Sequence, residues 1–451
     1  MCDTMVALAS TTLGGATLFA KNSDRERNES QFLDHCPAAR HEPGSTLRCT
    51  YIDIPQAAET QAVLLSRPFW CWGAEIGANA AGVVIGNEAV FSHLHPPRRE
   101  PALIGMDLVR LGLERAATAE AAVAAIIALL ERHGQGGDCG HLNERYYDNA
   151  FLVADPREAF VLETVGRLWV AGRVQRARAI SNALSIGRGA AWRTSPALIE
   201  DASARGLADD PAALDFAACY LDPERDTLTQ GRARSARATE LLARRDGTLT
   251  VADMMAVLRD HGPAAERDAA WHPARAPGRS ICMHAAGHDR GGQTTASMVS
   301  EIGADGQAVH WVTGTAAPCL SIFKPVVIEA GLAPQGPRPT GHWGSATAWW
   351  QHETLHRGAV LGDFGAVRAA LAPERDALEA RFLRRMADAT PTGRAEAAAQ
   401  CWTDAAAWET AWRRRLLPGM LITDGGHQAA WQEFSGRAMA GTADRRGRAS
   451  T

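Results

Sequence analysis

Short apolar runs of strand-like period open the chain. Their spacing predicts a hairpin, with one strand over residues 3–9, a turn through Leu13-Gly14-Gly15 and a second strand over 16–21. Further runs predict strands over 47–54, 62–66 and 82–90, with Phe69-Trp70-Cys71-Trp72-Gly73 between them as a loop. The period then lengthens. Leu103, Met106, Leu108, Val109 and Leu113 recur at helical spacing, and Thr118 is placed to cap a second helix that runs to His133 and stops at Gly134. A meander over 150–154, 160–164 and 168–170 follows, then a strand over 179–186 and a helical stretch over 190–260. Strands return at 280–284, 293–302, 307–313 and 325–329, and residues 341–417 read as helices rich in Ala, Arg and Trp. Blocks of antiparallel strands alternating with helical blocks make an α+β pattern, not the regular alternation of a parallel sheet.

Length and composition narrow the class. The 451 residues would allow about three domains by size alone. With 46% hydrophobic and 22% charged residues, the composition is that of a globular chain. The net charge of −4 argues against a nucleic-acid binder. The N-terminus has no basic residue before Lys21, so it is not read as a signal peptide, and the apolar run 121–130 is too short to span a bilayer. Nine scattered cysteines fit a reducing, cytoplasmic setting. Only Lys21 and Lys324 are lysines; every other basic residue is Arg.

Cys2 carries the strongest chemical signal. It follows Met1, and a small second residue normally permits removal of the initiator. The processed chain would then carry a thiol and a free α-amine on one residue. An α-amine titrates near 8 or just below, so it can act as a base towards the thiol.

A second set of residues gives Cys2 a context. Ala20-Lys21-Asn22-Ser23-Asp24-Arg25 ends the predicted hairpin, and Cys49–Ile54, Ser66-Arg67-Pro68 and Trp72-Gly73-Ala74-Glu75 follow. Residues 82–90 (GVVIGNEAV), 105–115 (GMDLVRLGLER), 134–137 and 149–164 (NAFLVADPREAFVLET) continue the series, with Ser181-Asn182 and Phe323-Lys324-Pro325. In this order the segments resemble the cysteine dipeptidases of the N-terminal nucleophile (Ntn) hydrolases, and within them the secernin branch. The resemblance covers roughly residues 2–330.

It implies a four-layer αββα sandwich of two antiparallel sheets, over 2–340; the residues after it read as a helical extension over 341–440 and, where no apolar run remains, a disordered tail over 441–451. It implies a cysteine-type peptidase, a dipeptidase, that acts on a small peptide or amide without cofactor or metal. No nucleic-acid or membrane partner is implied, and a homo-oligomer is allowed. Residue by residue, it makes Cys2 the nucleophile, Lys21 the cation beside it, Asp24 the acid that orients the amine, and Asn182 an oxyanion donor. Asn87 would bring the other polar group. Trp70, Trp72 and Glu88 are candidate pocket residues. A second basic partner, an Arg in the related acylases, has several counterparts between Arg225 and Arg237.

Two rival signals remain. His352-Glu353-Thr354-Leu355-His356 is a formal HExxH that could hold Zn²⁺, with Glu374 or Glu379 as a third ligand. Arg357 and the Ala at 359 fit a zinc-peptidase helix poorly, so a solvated helix face is expected instead. Cys139/His141 and Cys282/His284 could form a Cys₂His₂ set, but their spacing suggests buried thiols and ordinary histidines. His93 and His95 suggest a turn. A non-catalytic, secernin-type interaction protein is the remaining alternative.

Overall fold

The computed structural model describes residues 1–94, 98–208, 210, 214–268, 271–275, 280–285, 292–416, 432–433 and 435–438. Residue 95 and the expected tail 441–451 lie outside them.

Two antiparallel sheets form the centre. The six-stranded sheet runs in the order Ala177–Ile180, Cys2–Ala7, Thr17–Arg25, Gln293–Ile302, Ala308–Val312, Lys324–Val326. The eight-stranded sheet runs Arg193–Thr194, Leu168–Arg173, Ala159–Val165, Asp148–Ala154, Val84–Val90, Ile76–Asn79, Val63–Pro68, Gln31–Cys36. Both are buried on two faces, so their strands are largely apolar, and their buried polar residues are mostly hydrogen-bonded.

Side chains one residue apart enter different layers, as the pleat requires. Val6 and Phe19 pack inward against Leu64, Val84 and Leu152 of the facing sheet. Met5, Leu18 and Ala20 point the other way, towards Leu242, Met254 and Leu258 and towards Leu378 and Phe382. Across the molecule, Ile85, Phe151 and Leu162 pack on helices Gly105–Arg115 and Ala119–His133. Three apolar layers between four structural layers are the αββα sandwich. Helices Ala348–Leu361, Phe364–Asp388 and Arg394–Leu416 form the helical C-terminal region on the outside of the six-stranded sheet. Among the described residues no helix is long and apolar enough to cross a membrane.

Local chemistry sets several boundaries. The Thr118 hydroxyl accepts from the Ala121 N–H, and Gly134 ends the helix at φ 73°, which a side-chain-bearing residue adopts only with strain. The expected strand 47–54 is instead two short strands, Thr46–Arg48 and Asp53–Pro55, folded on each other with Cys49 N–H bonded to Ile52 O. The strand expected over 179–186 ends at Ile180, because Ser181 turns its hydroxyl to Cys2 O. No strand forms at 280–284. There the Cys282 N–H reaches Asp260 O and Met283 bonds Thr294, so the segment has no ladder. Strands Gln31–Cys36 and Ile76–Asn79 lack a readable alternation; they lie at the end of the eight-stranded sheet and beside Val84–Val90.

The second strand leads into a buried polar segment, residues 26–30. Glu26 accepts from the N–H groups of His141, Leu142 and Asn143 and from Asn143 Nδ2 and Arg145 Nε. Burial opposes ionisation, yet Arg145 and these donors outweigh it and lower the carboxyl to about 2. A carboxyl lowered in the fold stabilises it fully above its unfolded value near 4.5, and the stabilisation is lost as pH falls towards 2. Glu26→Gln is therefore expected to lower unfolding free energy at pH 7 by up to about 3 kcal/mol. Denaturant titrations between pH 7 and 2.5 check this: the gap between variant and parent should shrink as pH falls, and a constant gap would show that charge does not hold the 141–145 segment.

Candidate active site

Cys2 and Lys21 meet because of strand register. Cys2 pairs with Ser23 and Thr4 with Lys21, so Cys2, Thr4 and Lys21 all face the layer between the sheets. Lys21 is fully buried. Its Nζ donates to Asn87 O at 2.6 Å and pairs with Glu88 Oε1 at 3.3 Å. Burial would strip its charge, but Cys2, Glu88 and Glu75 hold its pKa above the usual lysine range. Burial pushes Glu88 up to about 7 against the pull of Lys21. The cation is the firmer member, since Nζ also has the Asn87 carbonyl.

The Cys2 thiol is enclosed. Asp24 N–H donates to Sγ at 3.3 Å, and Sγ lies 3.6 Å from Glu75 Oε2. With Met1 attached, burial pushes the thiol up to about 12; Lys21 opposes this, and Glu75 and Glu88 add to it. The Cys2 N–H donates to Asn182 Oδ1 at 2.8 Å. Arg234 donates to the same oxygen at 2.6 Å, to Cys2 O at 3.1 Å, and to Asp3. Met1 is half-buried, and its amine donates to Asp24 O at 3.0 Å.

Asp24 lies on the opposite face of its strand from Lys21. Its carboxylate accepts from the Thr294 hydroxyl at 2.6 Å, while Oδ2 has no hydrogen-bond partner. Burial raises its pKa. A bulge makes the Thr294 contact: register shifts between Thr294, opposite Asp24, and Ala296, opposite Ser23, so Thr295 is extra.

The geometry revises several expected roles. Asn87 faces the helical layer, where Nδ2 bonds Asn149 Oδ1 at 3.0 Å; its neighbour Glu88 faces the cysteine layer. A one-residue step in a strand exchanges faces, so of the two only Glu88 shares the layer of Cys2 and Lys21. Asn182 offers its oxygen to the Cys2 N–H, and an amide hydrogen goes to Ala89 O at 2.8 Å. Glu88 is fully buried as the partner of Lys21. Trp72 lies in the outer layer with Arg110 stacked over its ring at 4.1 Å. Trp70 donates to Glu29, which binds Arg25, which binds Glu75 at 3.1 Å, so it belongs to the network that ends at the thiol.

Arg234 and Glu75 were not picked out. Four arginines compete between 225 and 237, and only the fold separates them. Arg232 goes to Asp226, Arg237 to Asp260 and Glu266, and Arg225 lies over the Phe91 ring, leaving Arg234 on Cys2. Glu75 carried a signal in its Trp-Gly-Ala-Glu segment but no assigned role.

The HExxH residues do not form a solvated face. His352, Glu353 and His356 are buried, and the two histidines do not converge. His352 contacts Ser321 and Glu409; His356 contacts Glu353 and His284. Glu353 is ion-paired with Arg357 at 2.6 Å. Glu374 and Glu379 are bound by Arg415 and Arg259. His93 stacks on Tyr220.

No family model matches the chain. Solved structures similar to it include two variants of the conjugated bile acid hydrolase from Clostridium perfringens, each 10% identical. They align over 74% and 73% of this chain and 94% and 93% of theirs, with TM-scores of 0.43 and 0.42. A Caenorhabditis elegans ortholog of N-acylethanolamine-hydrolyzing acid amidase is 11% identical over 66% of this chain and 92% of its own, with a TM-score of 0.35.

The Lys21–Glu88 pair gives a direct test of the site's construction. Lys21→Met strands a buried carboxyl and is expected to cost about 3 kcal/mol or more. Adding Glu88→Gln should recover most of that loss in thermal and denaturant melts; a double variant as unstable as the single would show that the pair is not the constraint.

Proposed function

We propose that this chain hydrolyses a linear amide bond with Cys2 as nucleophile once Met1 is removed, and that its substrates are dipeptides, as the secernin-like segments imply. The observation that carries the reading is the seat already built around the Cys2 nitrogen. Asn182 Oδ1 accepts from it at 2.8 Å, and Arg234 fixes both that oxygen and the Cys2 carbonyl. Removing Met1 would leave a free amine in that seat without moving the strand.

The chemistry follows from one residue holding both groups. The amine takes the proton of the thiol. The thiolate, steadied by Lys21 and by the Asp24 N–H, attacks the amide carbonyl. The amine then returns the proton to the leaving nitrogen, and water hydrolyses the thioester, which restores the thiol. Buried acceptors without hydrogen-bond partners, Asp24 Oδ2 and Glu88 Oε2, lie on the residues around this centre. Unpaired buried acceptors call for a donor, such as water or an ammonium group. The cytoplasmic setting is part of the proposal, supported by nine cysteines of which none is disulfide-bonded.

Intact mass before and after an electrophilic amide or thiol probe tests the nucleophile. Chains that have lost Met1 should gain one adduct, and Cys2→Ala none. Activity should fall at least 10³-fold in Cys2→Ala and in a chain with a permanent N-terminal extension. Full activity in either variant would refute the mechanism. A panel of dipeptides against N-acylated amines tests the finer claim: cleavage of the amines alone would remove the dipeptidase assignment and leave the nucleophile standing.

A further inference from the structure

We propose that His261, Cys282, His284 and Cys319 bind one Zn²⁺ that braces the catalytic strand from behind. All four are buried, and their ligand atoms lie within 4.8 Å of one another. His284 Nε2 is 3.1 Å from His261 Nε2, 3.4 Å from Cys319 Sγ and 3.6 Å from Cys282 Sγ. Tetrahedral zinc with ordinary Zn–N and Zn–S bonds requires edges of about 3.3 Å between nitrogens and about 3.5 Å between nitrogen and sulfur. The three spacings from His284 Nε2 match those edges within about 0.2 Å, and the four ligand atoms together need only a small contraction to close the shell.

The tautomer of His284 fits the same role. Glu353, ion-paired with Arg357, only accepts, so His356 Nδ1 carries a hydrogen towards it at 2.8 Å. His356 Nε2 then accepts from His284 Nδ1 at 3.0 Å. That leaves the His284 Nε2 lone pair facing the other three groups. It can satisfy one hydrogen-bond donor, whereas a cation satisfies all four ligands at once. A ligating histidine held through its other nitrogen by a chain ending in a carboxylate is the usual support of a zinc site. HExxH therefore contributes the brace of His284 rather than a ligand pair.

Binding must balance its protons. The two thiols release theirs to solvent. His261 moves its hydrogen from Nε2 to Nδ1, and the half-buried Arg368, which donates to Nδ1 at 3.1 Å, turns away.

The site touches the catalytic strand through Met283, which lies between two ligands. Met283 N–H donates to Thr294 Oγ1 and Thr294 N–H to Met283 O, both at 2.9 Å, while the same hydroxyl donates to Asp24. Asn22, two residues from Asp24, donates to Ile281 O at 2.8 Å. Zinc at this place would fix the 281–284 segment against the strand that carries Lys21 and Asp24. It takes no part in the amide chemistry proposed above, and the test separates the two.

Elemental analysis of the full chain purified from zinc-supplemented culture should give about one zinc per chain. Cys282→Ser/Cys319→Ser should lower it at least tenfold, while Cys139→Ala, His352→Gln and Cys2→Ala should leave it unchanged. Should the double variant fail to fold, cobalt(II) exchange into the parent chain serves instead, with thiolate-to-cobalt charge-transfer bands and tetrahedral ligand-field absorption expected. A parent chain that carries no zinc and takes up neither zinc nor cobalt(II), or an intact mass short by two hydrogens from a Cys282–Cys319 disulfide, would overturn the proposal.

Discussion

The ion pair sealed between the two sheets, Lys21 with Glu88 at 3.3 Å, constrains everything near it. A charge between sheets is tolerated only with a partner and further hydrogen bonds, which here come from the Asn87 carbonyl and the Thr4 hydroxyl. Those contacts demand fixed registers, Thr4 opposite Lys21 on one sheet and Val84–Val90 directly across from them on the other. Gly86 belongs to the same fit, because a Cβ there would come within 2.4 Å of the Lys21 chain. With the two sheets locked this way, the first residues of the chain have one place to lie, and Cys2 occupies it.

Much of this was legible in the sequence, for reasons that differ by element. The hairpin, the Thr118–Gly134 helix and the meander announce themselves through period, cap and turn chemistry that act within a few residues. Cys2 was visible because its chemistry depends on its place in the chain rather than on the fold. Arg234 was not, since four arginines lie within thirteen residues and only the helix Gly231–Ala243, set against the first strand, decides which one reaches Cys2. Asn87 and Glu88 illustrate a sharper limit. The strand is legible from its apolar run, but which of two neighbours faces the other sheet is not, and that choice puts Glu88 against Lys21 and Asn87 against Asn149. The 280–284 segment reads as strand but forms none, because its backbone is spoken for by Asp260 and Thr294, partners that a local reading does not contain.

The C-terminal helices are tied to the site by polar bonds as well as by packing. Arg357 donates to Arg27 O and Asn28 Oδ1, Gln293 donates to Glu353, and Trp349 donates to Thr295 O. The bulge at Thr295, which aims Thr294 at Asp24, is thus held from outside by the helix that follows residue 347. An extension whose described residues contribute no side chain to the thiol still shapes the strand beside it.

The position of Met1 has a consequence for the order of events during synthesis. In the folded chain Met1 is half-buried with its amine bonded to Asp24 O, so the removal of Met1 proposed above would be favoured before the terminus docks. Docking waits for partners far along the chain, Asn182 being 180 residues after Cys2. At ordinary translation rates of about 5–20 residues per second, the ribosome takes roughly 10–40 s to cover that distance. Under the proposed removal of Met1, the long sequence separation across the first strand would leave the terminus undocked while the chain is still being made.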